Sequence, residues 1–262
     1  MRIGFHEGWK GNSAWEKSQD VPSLCVIVPA FNEAACIQDA IRQITSVLSG
    51  ARDDALFQLA QLFVVDDGST DDTATLAEQL AQADPRVKVV SYQPNRGKGG
   101  AILEGIRHAE GDLVAFLDAD MDIHPRYILA LCEAMRQTGA DVVVGSKQHP
   151  DSNIVFPLHR KIYSRVYAAL VRVLFSLPVR DTQTGIKLFR REVLTCVAPR
   201  MTVSRFAFDL EMLSLIHREG FKIVEASVNV SYQRRSGRIG LGDILVMLRD
   251  TLRVRAALHR HD

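Results

Sequence analysis

Short apolar runs alternate with longer stretches of helical period along most of the chain. "LCVIV" (24–28), "LFVV" (62–65), "VKVVSY" (87–92), "LVAFL" (113–117) and "DVVVG" (141–145) have the length and β-branched content of buried strands. Between them, "EAACIQDAIRQITSVL", "DDTATLAEQLAQA", "KGGAILEGIRHA" and "RYILALCEAMRQTG" repeat apolar residues at helical spacing and predict amphipathic helices. Thr70 or Asp71 is placed to cap the second of these helices, and Gly139 to end the fourth. Near-continuous apolar strands separated by helices imply a parallel sheet covered on both faces. Ligands of such sheets bind at the carboxyl ends of the strands. "PAFNE", "DDGSTDD", "QPNRGKGG" and "DADMD" all begin at those ends, so four polar motifs on one rim predict a site.

The pattern changes after Gly145. A polar loop, "SKQHPDSNIVFP", precedes the amphipathic stretch "LHRKIYSRVYAALVRVLFSL"; "RDTQTGIKLF" follows, then a helix in "RFAFDLEMLSLIHREG" and a strand in "KIVEASVNVSY". "GDILVMLRDTLRVRAALHR" closes the chain as a helix with a basic end. The expected organisation is a polar extension over 1–22, a main α/β domain over 23–240 and a C-terminal basic amphipathic helix over 241–262.

With 262 residues the chain is long enough to bury a large single core. Its net charge of +1 hides a division: residues 1–146 carry 12 basic and 21 acidic side chains, and residues 147–262 carry 20 and 10. That division suits an acidic metal site beside a basic surface for an anion or an anionic membrane. No nucleic-acid partner is expected. The four cysteines are scattered without a C-x-x-C pair, and Cys25 and Cys132 fall at apolar-periodic positions, as buried free thiols of a reducing compartment do. The N-terminus lacks an apolar signal core, and "VYAALVRVLFSLPV" is too short and too interrupted to span a bilayer. A cytoplasmic chain is therefore expected, able to attach peripherally at the inner face of a membrane.

The acids at 118, 120 and 122 are the most specific feature of the rim. If the strand continues past Leu117, the three carboxylates share one face, at a cost that a cation relieves. A helix start accounts for one acid, not three. Carboxylate oxygens suit Mg²⁺ or Mn²⁺, so Asp118, Asp120 and Asp122 are the candidate metal ligands. In "VVDDGSTDD" a turn and helix cap explain Ser69 to Asp72; Asp67, at the strand end, is also placed to accept from a base N–H or from ribose hydroxyls. "NRGKGGA" enters a helix with Lys98 beside the acids, as a contact for a diphosphate or as a solvated lysine.

"VIVPAFNEA", "VVDDGSTDDT", "NRGKGGAILEGI", "LDADMD", "GSK" and "RDTQTGIKLF", in that order from about Leu24 to about Leu252, resemble the family 2 glycosyltransferases of the GT-A fold. They are most similar to the polyprenol- or dolichyl-phosphate hexosyltransferases. "RDTQTGIKLF" followed by "FAFDLEML" looks most like the glucosyltransferase branch, with the mannosyltransferases as near relatives. The resemblance implies a single Rossmann-like, mostly parallel sheet flanked by helices. It also implies an inverting, metal-dependent transfer of a hexose from a nucleotide sugar, UDP-glucose favoured, to a polyprenyl or dolichyl phosphate. GDP-mannose is the alternative donor and a saccharide hydroxyl the wider alternative acceptor. Pro29, Glu33 and Asp67 fall where the family lines its nucleotide pocket, and Asp118 and Asp120 match its D-x-D pair. Asp122 falls where relatives carry Gln. Lys147 and Arg160 match basic positions near the acceptor phosphate. Asp209 and Glu211 sit where hydroxyl-using relatives place a base; a helix cap and a polar core contact are the competing roles. Many relatives carry transmembrane helices; this chain shows none, so it is expected to meet its lipid at a membrane surface or through a membrane-embedded partner. A nucleotidyltransferase would need a Gly-rich, basic loop where this chain has "PAFNE", and an inactive sugar-nucleotide-binding module would not need the intact acids.

Overall fold

The structure is a computed structural model that describes residues 21–49, 56–152, 171, 173–202, 207–230, 249–256 and 258. The N-terminal extension, Arg160, Lys161 and most of the expected helices around 158–177 and 241–262 lie outside the described residues. The first half follows the predicted alternation closely. It runs β1 (Ser23–Ala30), α1 (Ile37–Leu48), β2 (Gln58–Asp66), α2 (Thr73–Ala83), β3 (Val87–Ser91), α3 (Lys98–His108), β4 (Leu113–Phe116), α4 (Tyr127–Thr138) and β5 (Val142–Ser146). The second half adds β6 (Lys187–Arg190), α5 (Arg191–Val197), α6 (Phe208–Arg218) and β7 (Ile223–Ser227).

The seven strands form one sheet in the order β3-β2-β1-β4-β6-β5-β7. Strands β1 to β4 pair in parallel, as do β5 and β7. The exception is β6, which lies antiparallel between β4 and β5. This strand and α5 were not assigned from the sequence. The antiparallel direction has a consequence for the site: the N-terminal end of β6 arrives at the rim where its neighbours end. Lys187 pairs with Phe116 of β4 and with Val144 of β5.

Alternating side chains divide between two apolar layers, as a sheet covered on both faces requires. Val26 and Val28 pack with Ile37, Ile41 and Ile44 of α1 and with Leu131 and Met135 of α4. Cys25 and Ile27 face the other side, with Ile102 of α3 and Leu210 and Leu213 of α6. Helix α3 lies close against β1: a Cβ at Gly105 would come 2.5 Å from Ile27 Cγ2. Gly139 ends α4 in the left-handed conformation (φ 63°), as its position predicts. The cap of α2 falls one residue later than predicted, at Asp72. Asp71 nevertheless accepts from the Thr73 N–H at 3.0 Å, so its carboxylate serves the first turn from just outside it. Cys25 and Cys132 are buried free thiols. Among the described residues no helix is long and apolar enough to cross a membrane.

Candidate active site

All four rim motifs meet at the carboxyl ends of β1, β2, β3 and β4. The loop after β1 and the loop after β2 are stitched together: Asn32 donates its N–H to Ser69 Oγ (2.9 Å) and accepts from Thr70 N–H (2.9 Å). Glu33 N–H is held by Thr73 Oγ1 at 2.8 Å. The Glu33 carboxylate accepts from the Cys36 thiol at 3.0 Å. Asp67 is buried and its Oδ1 accepts from Tyr92 O–H (2.7 Å) and Arg96 N–H (2.8 Å). Burial, then the Asp67 carboxylate, push the Tyr92 phenol well above its usual range. Asp67 thus fixes the loop that carries Lys98 to the head of α3.

Strand β4 stops at Phe116, so the condition that the strand run on through the acids is not met. Asp118, Asp120 and Asp122 lie on a turn in which Met121 takes a positive φ of 57°. The turn avoids stacking three carboxylates along one strand face, where they would repel. In the turn, Asp120 Oδ1 accepts from the Asp122 N–H at 3.1 Å. Asp118 forms an ion pair with Lys98. Burial, then the neighbouring Asp118 charge, push Asp120 up to about 6. Burial opposes the charge on Lys98, but Asp118, Asp209 and Asp120 outweigh it and hold its pKa above the usual lysine value.

Two cavities flank these acids. One is lined by Pro29, Phe31, Glu33, Asp67 and Lys98, and the other by Asp122, Lys147, Gln183 and Gly185; Asp118 and Asp120 line both. Every nucleotide-pocket residue expected from the sequence thus converges on one side, and Lys147 lies on the other. Arg160 is outside the described residues. Asp209 and Glu211 line neither cavity. Helix α6 is buried through its whole first two turns, so both acids point into protein. Asp209 pairs with Lys187 at 2.6 Å. Glu211 accepts from Thr202 N–H (3.0 Å) and Thr202 O–H (2.6 Å). Burial raises the Asp209 pKa against the opposing pull of Lys187 and Lys98.

Among the described residues no group of three or more His, Cys, Asp or Glu side chains is arranged to hold a metal ion. The donor set still fits a divalent cation. Mg²⁺ and similar hard ions take one or two carboxylates and complete their shell with phosphate and water. Asp118 and Asp120 supply two such carboxylates facing both cavities, and the raised pKa of Asp120 marks a carboxylate short of positive charge.

Three residues here were not singled out in the sequence: Gln183, Gly185 and Lys187. A Cβ at Gly185 would stand 2.0 Å from Asp118 Oδ2 and 2.5 Å from its Cγ, so the Asp118 carboxylate occupies the space that any other residue would need. Gly185→Ala is expected to lower kcat about a hundredfold by displacing Asp118, since misplacing a reacting group by about 1 Å costs on that order. Steady-state kinetics beside a thermal melt separate this from unfolding.

A mostly parallel α/β sheet with a carboxylate pair at its rim between two cavities matches the GT-A fold of glycosyltransferases. The sequence model of glycosyl transferase family 2 matches residues 25–197, and the chain belongs to that family. It is 30% identical over 244 residues to the dolichyl-phosphate beta-glucosyltransferase of Dictyostelium discoideum, a match covering 88% of this chain and 73% of that one. Glycosyltransferase AglD of Haloferax volcanii is 31% identical over 206 residues, covering 79% of this chain; the match spans 32% of AglD's own length. Among solved structures, glucosyl-3-phosphoglycerate synthase from Mycobacterium tuberculosis in complex with Mn²⁺ and UDP-glucose superposes with a TM-score of 0.67 at 24% identity. That superposition covers 96% of this chain and 84% of the other, and it bears on the fold.

Proposed function

We propose that the chain is an inverting hexosyltransferase that moves glucose from UDP-glucose to a polyprenyl phosphate of the dolichyl type, with Mg²⁺ or Mn²⁺ as cofactor. The observation that carries this is the shared wall. The carboxylates of Asp118 and Asp120 belong at once to a cavity bearing Pro29, Glu33, Asp67 and Lys98 and to one bearing Lys147. The resemblance to dolichyl-phosphate beta-glucosyltransferases supports the choice of donor and acceptor.

Asp118 and Asp120 are the residues to hold the cation, with Asp122 beside them as a third candidate. When bound, the cation neutralises charge on the leaving diphosphate. Lys98 faces the same cavity and supplies a second positive charge for that leaving group. In the reaction an acceptor phosphate oxygen forms a bond to the anomeric carbon as the bond from that carbon to the diphosphate breaks. The nucleoside diphosphate departs from the opposite face, and configuration inverts. A phosphate is already ionised at neutral pH, so no general base is needed. The placement of Asp209 against Lys187 and of Glu211 against Thr202 suits that chemistry.

Lys147 brings one anion up to another, and the basic half of the chain assists. Lys147→Ala is expected to lower kcat/KM for the acceptor about ten- to a hundredfold, the usual worth of a hydrogen bond to a charged group, with donor affinity unchanged. The function itself is tested with purified protein, Mn²⁺ or Mg²⁺, UDP-glucose or GDP-mannose, and a short polyprenyl phosphate. A glucosyl lipid detected by mass is the expected product. A mannosyl lipid instead would reassign the donor, and glycosylation of an added saccharide with none on the lipid would reassign the acceptor.

A further inference from the structure

Within the Lys147 cavity the wall is dominated by acceptors: Asp118, Asp120 and Asp122 have no proton to give when ionised. An incoming phosphate meets three carboxylates and needs donors to offset them. Among the described residues, two lining side chains carry donors, Lys147 and Gln183. The Gln183 Nε2 atom is buried and has no hydrogen-bond partner among the described residues. Native structures rarely leave such an amide unmet, and this one belongs to a side chain that lines the cavity, within a rotamer change of a ligand there.

Its backbone is not free to drift. One oxygen of the Asp181 carboxylate accepts from the Lys147 N–H at 3.1 Å and the other from the Gln183 N–H at 3.3 Å. Asp181 is itself buried, and its own N–H donates to Glu225 at 3.1 Å. A single carboxylate therefore sets the spacing between the lysine and the glutamine. The antiparallel β6 brings this loop to the rim, with Gly185 pressed against Asp118.

We infer that Gln183 is a second, uncharged donor to the acceptor phosphate, held in register with Lys147 by Asp181. This rests on the phosphate-acceptor reading above. A neutral amide is suited to this position because it donates without forming an ion pair with the neighbouring carboxylates, which would close the cavity.

The test compares wild type, Gln183→Ala and Gln183→Glu, with geranyl phosphate as acceptor and UDP-glucose with Mn²⁺ as donor. Acceptor KM, donor KM and direct binding of geranyl phosphate in the presence of UDP and Mn²⁺ are measured, with a thermal melt for each protein. Gln183→Ala is expected to raise the acceptor KM about ten- to a hundredfold while leaving the donor KM unchanged. Gln183→Glu keeps the shape and replaces the donor by an anion, so its loss should be larger at neutral pH. Either variant alone decides the matter if the other fails to fold. An acceptor KM within twofold of wild type in a folded variant overturns the assignment and leaves the proposed function standing. A rise confined to the donor KM places Gln183 on the hexose and overturns it as well. Wild type that neither transfers to nor binds geranyl phosphate overturns the assignment and the phosphate-acceptor reading together.

Discussion

Replacing Asp120 by alanine or asparagine is expected to reduce transfer about a thousandfold or more, with the fold intact. Charge stabilisation by a bound cation contributes several kcal/mol to a displacement of this kind, and each 1.36 kcal/mol is a factor of ten. Excess chelator should do the same to the wild type. The same residue gives a stability signature of opposite sign. A carboxylate raised from 3.8 to about 6 in the folded protein disfavours folding once it is ionised. That penalty is absent below pH of about 4, where both states are protonated, and grows to its full value above about 6. Asp120→Asn should therefore melt no lower than wild type at pH 7 to 8, and any gain in Tm should vanish at acid pH. In metal-free protein the cation must also displace a proton from Asp120, so apparent metal affinity should fall as pH drops below about 6. Full activity of the alanine variant, or of wild type in excess chelator with no added metal, would remove Asp120 from the metal site.

The second large effect is structural. Lys187→Met is expected to destabilise the fold by about 3 to 5 kcal/mol, the usual result of removing one member of a buried pair. Lys187 and Asp209 are 2% and 3% exposed, and the lysine also donates to the Thr184 carbonyl at 2.6 Å. Without it, a buried carboxylate loses its nearest counterion and the loop bearing Gln183 and Gly185 loses a tie. The double variant Lys187→Met/Asp209→Leu should recover much of the loss, because an apolar pair of similar size has no charge to desolvate. Denaturant unfolding of the four proteins in the cycle gives the coupling energy. A coupling below about 1 kcal/mol would mean that the pair does not act as a unit.

How much of this was legible in the sequence depends on how local each cause is. Strands β1 to β5 and helices α1 to α4 follow from apolar period alone, and the rim motifs from where that period breaks; the expected nucleotide-binding role of Pro29 and Glu33 came from the family resemblance. Strand β6 was hidden because a lysine within "IKLF" reads as a solvent-facing position. Its burial depends on Asp209, which arrives on a helix far downstream. For Asp209 and Glu211 the sequence left a base and a polar core contact as competing roles, and the burial of α6 from Phe208 to Ile216 matches the polar core contact. The acids after Leu117 stood out by their crowding, while alternation alone left open whether the strand ran on through them; it ends at Phe116 and they lie on a turn. Gln183 and Gly185 gave no sequence signal of their own, since what makes each matter is a neighbour distant in the chain, the Lys147 cavity in one case and the Asp118 carboxylate in the other.

The sheet order also constrains how the molecule assembles. Strands β1 to β4 are contiguous in the sheet and pair with one another in parallel, with β4 alone also pairing outside the group, to β6. Strand β5 cannot join them directly, because its place in the sheet is reached only through β6, which comes later in the chain. Contacts of long sequence separation form late, after the entropy of closing the intervening loop has been met. The first four strands thus form a platform that carries the cavity lined by Pro29, Glu33, Asp67 and Lys98. The far wall, with Lys147 and Gln183, is added when β6 enters the gap and zips β5 and β7 onto the edge. This topology predicts that the cavity wall bearing Asp67 and Lys98 forms early in folding and the wall bearing Lys147 and Gln183 late.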